Sequence, residues 1–292
     1  MIGISFGTMR SLRRGTGSDI AGSRPYRPGD NFDTIDWAAT ARLSTARGSD
    51  EFVVRERFAE ESPRVVVVAD RRPAMSCFAA PLPWLDKPLA MRNLFELILA
   101  SAAGAGGFVG YLDHADGHPF WRPPQLERKL LKLRNERLES PDFRAPADWL
   151  ERSLAHLAEH RRSVTAGTFV FVLSDFIPQP STEVWFTALE QRWDVIPVVI
   201  QDPTWEQSFP DVRGIVVPLR DPDSGRAVPV RLTEKEIRAR RESNEARVAR
   251  LVDDFRALDL DPILVSSSEP AELLTSFLAW TEVRRTRRLV GV

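Results

Sequence analysis

Two apolar runs, each ending at an aspartate, constrain this chain more than any other feature. Residues 64–70 read RVVVVAD, and residues 167–176 read GTFVFVLSDF. A β-branched run without polar alternation is what a strand needs when both of its faces are covered, as inside a parallel sheet. The segments around these runs alternate between helical and extended patterns. Leu85–Ala103 reads as a largely apolar helix, 107–114 (GFVGYLDH) as a strand, and Asp116-Gly117 as a hairpin turn into HPFWR. Leu126, Leu130, Leu133 and Leu138 recur at near-helical spacing, and Leu150, Leu154 and Leu157 share one face of a helix over Pro146–Arg162. A helix from about Ser181 to Trp193 and the strand DVIPVVIQD (194–202) follow. Residues 213–232 form a hairpin around DPDSG, and Thr233 with Glu236 opens a long charged helix as a capping box. DPILVSSS is the last strand, and Ser268 is expected to cap the final helix.

Strands alternating with helices imply right-handed βαβ units. The expected fold class is therefore α/β, a doubly wound, mainly parallel sheet of about six strands, Rossmann-like in layout. Residues 1–62 are different: EFVVRERF (51–58) reads as an edge strand amid many turn formers. They are expected to form a β-rich N-terminal extension to an α/β domain over 63–292. Within that domain a helical insertion is placed at about 120–165 and a hairpin insertion at about 203–232.

A formal net charge of −1 argues against a surface dominated by phosphate contacts. The single cysteine, Cys77, excludes an intramolecular disulfide and an all-cysteine metal cage, and reads as a small apolar filler. The most apolar stretch, Leu94–Leu112, is interrupted by Glu96 and four glycines, so no membrane span is expected. A secretory signal would put basic residues before an apolar stretch, whereas MIGISFGTMRSLRR has the reverse order. The expected location is cytoplasmic.

In open, doubly wound sheets ligands sit outside the carboxyl ends of the strands, where strand order reverses. Asp70 ends the first apolar run, and Ser174 and Asp175 end the other, so all three should face one crevice.

The stretch RPYRPGDNFDTIDWAATAR (24–42) resembles the signature of the bacterial DUF58 family, a domain of unknown function. The matching positions are Arg24, Tyr26, Gly29, Asp30, Ile35, Asp36, Trp37, Ala41 and Arg42, while Asp33-Thr34 departs from the arginine usual there. The resemblance runs on through FVVRERFAEE, VVVVAD, VLSDF, VIPVVIQDPTWE and VPLRDPDSG. Read from the residues, the signature is a structural clasp. Pro28-Gly29-Asp30 turns the chain, Asp30 and Asp36 come within reach of Arg24 or Arg42, and Trp37 serves as a buried anchor. A partner-docking surface is the other reading.

The resemblance implies a domain of the von Willebrand factor A type. Such domains hold a magnesium-like ion with Asp-x-Ser-x-Ser after the first strand, a threonine from another loop, and an aspartate after the fourth strand. Here the first element reads DRRPAMS, with Arg72 and Ala74 where the serines would stand. A cation near the ion costs about 4 kcal/mol per unit-charge pair at 4 Å and intermediate dielectric, and a divalent ion doubles that. The expectation is a degenerate metal-ion-dependent adhesion site without a cofactor. In it the Arg72 guanidinium replaces the ion against Asp70, Asp175 or both, unless Arg72 points into solvent. A magnesium ion on Asp70 and Asp175 is the alternative.

His156 and His160 in HLAEH match the spacing of an inverted zinc-peptidase motif, yet on a helical wheel they flank the apolar stripe near Trp149. DHADGH (113–118) is better explained by its turn. No phosphate-binding loop occurs, and the basic RRTRR near the C-terminus suits a helix end. The functional expectation is a non-enzymatic interaction or adaptor domain, which the resemblance places alongside a MoxR-type AAA+ ATPase in protein assembly or maturation. The rival is a metal-dependent hydrolase using Asp70/Asp175 or His156/His160.

Overall fold

The computed structural model describes residues 14–26, 35–47, 52–58, 62–77, 85–126, 130, 137–222 and 224–290. The chain divides into two compact units, Ser5–Pro63 and Arg64–Val292.

In the first unit β1 (Arg14–Pro25) pairs antiparallel with β2 (Val53–Phe58), with register shifts around Ile20. Sequence reading missed β1, because Gly15, Gly17, Gly22, Ser18 and Ser23 look like turn formers. Helix α1 (Trp37–Arg47) follows a bridge between Ile35 and Val54. The buried Thr40 hydroxyl accepts from Val53 N at 3.0 Å and ties α1 to β2.

The second unit is mixed α/β. Its sheet contains β3 (Arg64–Ala69), β4 (Phe108–Asp113), β5 (Phe120–Gln125), β6 (Phe169–Ser174), β7 (Asp194–Ile200) and β10 (Ile263–Val265), in the order β10-β7-β6-β3-β4-β5. All neighbours are parallel except β4 and β5. The edge strand β5 carries Pro123 and Pro124. At the register shift facing it, a side chain on Gly110 would place its Cβ 2.9 Å from the Arg122 carbonyl oxygen, a separation only glycine avoids.

Both apolar runs are buried along their length, and alternate residues serve opposite faces. Val66, Val68, Val170 and Val172 pack in one cluster with α3 (Trp149–Glu159), α4 (Phe186–Glu190) and α5 (Glu234–Ala257). On the other face Phe171 stacks on Phe277 of α6 (Pro270–Val290), and Phe95 of α2 (Lys87–Gly104) meets Tyr111 edge-on at 5.5 Å. Strands β8 (Val216–Arg220) and β9 (Ala227–Arg231) form the hairpin expected around DPDSG.

Two local expectations change. The helix expected over 181–193 is a 3-10 turn, Thr182–Trp185, followed by the short α4, and it stops before Arg192, whose φ is +55°. Ser268 does not cap α6. Its hydroxyl accepts from Asp86 N, whereas the neighbouring Ser267 hydroxyl accepts from Glu269 N at 3.1 Å. Of the helix expected from Leu126 to Leu138, residues 127–129 and 131–136 lie outside the described residues. Among the described residues, no helix is long and apolar enough to cross a membrane.

Candidate functional site

The parallel order puts the ends of β3 and β6 side by side, and the residues just past them meet in one buried cluster. Asp70 N donates to the Leu173 carbonyl oxygen, which extends the ladder one step and fixes the loop after β3. The next side chain but one folds back: Arg72 N and Nε donate to Asp70 Oδ1 at 2.9 and 3.1 Å. Its Nη2 lies 2.6 Å from Asp70 Oδ2, 3.1 Å from Asp175 Oδ1 and 3.4 Å from Ser174 Oγ, while Nη1 donates to the Ile177 carbonyl oxygen. Ser174 Oγ donates to Asp70 Oδ2 at 2.7 Å. The four residues named from sequence, Asp70, Arg72, Ser174 and Asp175, are therefore gathered in one cluster, with Arg72 between the two acids.

Three further members were not anticipated. Lys87, at the first turn of α2 and fully buried, reaches Asp175 Oδ2 at 2.9 Å and Glu206 Oε1 at 2.6 Å. Glu206 Oε2 accepts from Asp202 N, and Arg247 of α5 donates from Nη2 to the Glu206 carbonyl oxygen. One signal for Lys87 was present. A lysine at a helix N-terminus opposes the macrodipole and calls for nearby acids. Glu206 closes the stretch VIPVVIQDPTWE, but nothing in the sequence connects it to the strand ends.

Burial pushes the Asp70 carboxyl above the ordinary aspartate range, and its bonds to Arg72 pull against that rise. Burial likewise raises Glu206, with Lys87 opposing. For Lys87 burial disfavours the charge, but Asp175 and Glu206 outweigh it and hold the ammonium above its usual range. The carboxylate oxygens that would ligate a divalent ion already accept from a guanidinium and an ammonium, and a hydroxyl is missing at positions 72 and 74.

The loop after β6 is set by packing as well as by bonding. Phe176, at a left-handed φ of +52°, packs on Trp185 and Phe255. Beside the cluster opens a cavity of about 1240 Å³ lined by Arg72, Asp175 and Glu206 below and by Trp205, Phe209 and Leu219 among its apolar walls.

The signature residues belong to the first unit. Gly29 and Asp30 lie outside the described residues, as does the side chain of Arg24. Asp36 caps α1, accepting from Ala39 N at 3.0 Å, and Arg42 Nε donates to the Ala38 carbonyl oxygen. Trp37 is not a buried anchor. It is 64% exposed at the start of α1, meeting Phe52 edge-on at 5.9 Å, because Ile35, Thr40, Val53 and Val54 already fill the interior side. Tyr26 contacts the same Phe52.

The His156 and His160 rings lie 4.3 Å apart, tilted, against Trp121, and His160 Nδ1 donates to the His156 carbonyl oxygen. Among the described residues no group of three His, Cys, Asp or Glu is placed to hold a metal ion. Burial and the neighbouring His160 lower the basicity of His156, and burial lowers that of His114. An imidazole depressed below 6.5 in the folded state binds protons better when unfolded, so below pH 6.5 these groups subtract stability as pH falls. Changing His156 to phenylalanine is expected to flatten that fall. Urea midpoints of both proteins between pH 6.5 and about pH 5 check it, and parallel curves would refute it.

The family profile described as "Protein of unknown function DUF58" matches residues 22–250. The chain belongs to the DUF58 family. This DUF58 protein is 27% identical over 240 residues to uncharacterized protein Rv1480 of Mycobacterium tuberculosis and uncharacterized protein Mb1516 of Mycobacterium bovis. Each match covers 76% of this chain, and the chain spans 66% of the length of those relatives. Among solved structures, conserved hypothetical protein BatB from Bacteroides thetaiotaomicron aligns with a TM-score of 0.46 at 16% identity, covering 77% of this chain and 99% of that one. An aerotolerance-related membrane protein from Bacteroides fragilis aligns with a TM-score of 0.41 at 16% identity, covering 67% and 99%.

Proposed function

We propose that the DUF58 protein is a non-enzymatic protein-interaction module of the von Willebrand factor A type. Its docking crevice lies at the carboxyl ends of β3 and β6, a degenerate adhesion site in which Arg72 takes the place of the ion. One observation supports the reading: a single guanidinium, that of Arg72, bonds both Asp70 and Asp175. A fixed guanidinium preserves the charge pattern and loop shape of such a site without depending on a metal supply. The same arrangement leaves neither acid with a free oxygen for hydrolytic chemistry. The partner we infer is a MoxR-type AAA+ ATPase, by resemblance to the family, with protein assembly or maturation as the process.

Millimolar Mg²⁺ or Mn²⁺ is expected to leave the thermal midpoint of the wild type unchanged, because a ligand raises it only by binding the native state. A rise of several degrees would restore the metal reading. Capture from the native host, with wild type beside Leu219→Arg at the cavity wall, tests the partner. Recovery of the ATPase by wild type alone supports the reading. Equal recovery by both keeps the partner but discards the crevice, and recovery by neither discards the partner.

A further inference from the structure

The cavity beside the ion-pair cluster has apolar walls, and its polar groups are unevenly engaged. Two of the acids that line it have their oxygens committed. Asp175 Oδ1 accepts from Arg72 and from Ile177 N, and Asp175 Oδ2 accepts from Lys87. Glu206 Oε1 accepts from Lys87 and Oε2 from Asp202 N. Two of the three arginines on the wall are committed too: Arg72 to the acids, and Arg240 to Glu236 at 2.7 Å.

Arg247 differs. Among the described residues its guanidinium makes no ion pair. Its Nη2 bonds a backbone carbonyl oxygen, and its Nη1 is buried with no hydrogen-bond partner. Burial lowers its basicity, with only the more distant influence of Glu206 and Asp175 opposing. A half-buried cation with an unused donor is costly, and an arriving anion removes that cost with a charge-assisted bond. The terminal torsions of an arginine allow Nη1 to turn toward such a group. Arg247 lines the same cavity as Trp205, Phe209 and Leu219, which suit an apolar side chain.

We infer that this cavity receives an acidic, apolar peptide segment of a partner protein: a large apolar side chain against the Trp205–Phe209 wall, and an aspartate or glutamate a residue or two away on Arg247. The inference rests on the crevice reading above and adds to it the chemistry of what docks there.

The test is selection from a random dodecapeptide library displayed on phage against the immobilised full chain. Parallel selections use Arg247→Lys, Arg247→Met and the cavity-blocking Leu219→Arg, and circular dichroism verifies that each variant is folded. Wild type is expected to enrich peptides with an acid within two positions of tryptophan, phenylalanine or leucine. Their affinity should fall at least about tenfold on Arg247→Met, recover in part on Arg247→Lys, and disappear on Leu219→Arg. Replacing the acid by its amide in the best peptide should cost as much on wild type and little on Arg247→Met, as a coupled pair requires. Enriched peptides that are neutral or basic, sensitive to Leu219→Arg but not to Arg247→Met, overturn the acidic-ligand inference and leave the crevice standing. Peptides indifferent to Leu219→Arg, or no enrichment at all, overturn both.

Discussion

Lys87→Met lowers the free energy of unfolding by about 3–5 kcal/mol, the range for removing one partner of a buried ion pair. The ammonium is fully buried between Asp175 and Glu206, so its loss leaves two largely buried carboxylates without their shared cation. Methionine fills most of the lysine's volume, which keeps the packing change small and isolates the charge effect. The deficit should depend on pH with a definite sign. Without Lys87 the folded-state affinity of Glu206 for a proton rises further above its unfolded value, so the folded chain binds more protons. Stability then falls as pH rises above 4.5, and the variant should be closest to wild type in acid. Urea unfolding of both proteins at about pH 5 and pH 8 measures it. A deficit that grows on acidification would mean that Lys87 does not neutralise these acids.

A change of similar size is expected from Phe255→Ala on α5, about 3–5 kcal/mol. The Phe255 ring lies 5.3 Å from that of Phe176 and 5.5 Å from that of Trp185, and all three are buried. The consequence extends beyond stability, since Phe176 directly follows Asp175 and its left-handed backbone is held by this packing. Truncation should therefore loosen the loop that carries Asp175. Hydrogen exchange at the amides of Phe176 and Ile177, which donate to Ser174 Oγ and Asp175 Oδ1, is expected to accelerate more than exchange in β3. Uniform acceleration across the sheet would show that the aromatic trio supports the core generally and not this loop.

The two apolar runs made the sheet legible, because a strand covered on both faces leaves a composition that little else explains. The convergence of Asp70 and Asp175 was legible for the same reason: parallel strands end together. What the sequence hid was the rest of the cluster. Lys87 lies 88 residues from Asp175, and Glu206 lies 119 residues from Lys87. Their meeting depends on how α2 and the segment after β7 are laid across the strand ends, and no periodicity records that. Trp37 misled for a different reason. A large aromatic in a signature invites a reading as core, but the interior side of α1 in this small unit is already filled by aliphatic residues. The glycine- and serine-rich β1 left no pattern at all, since its pairing with β2 rests on main-chain bonds.

The two borders of the six-stranded sheet restrict how this protein meets others. On one border Pro123 and Pro124 supply no amide hydrogen, and on the other β10 offers three residues. A foreign strand, or the same strand from a second copy, finds no continuous row of donors and acceptors to zip onto. At this sheet that disfavours backbone templating, and with it open-ended fibre growth, and favours the loops, where side chains can discriminate.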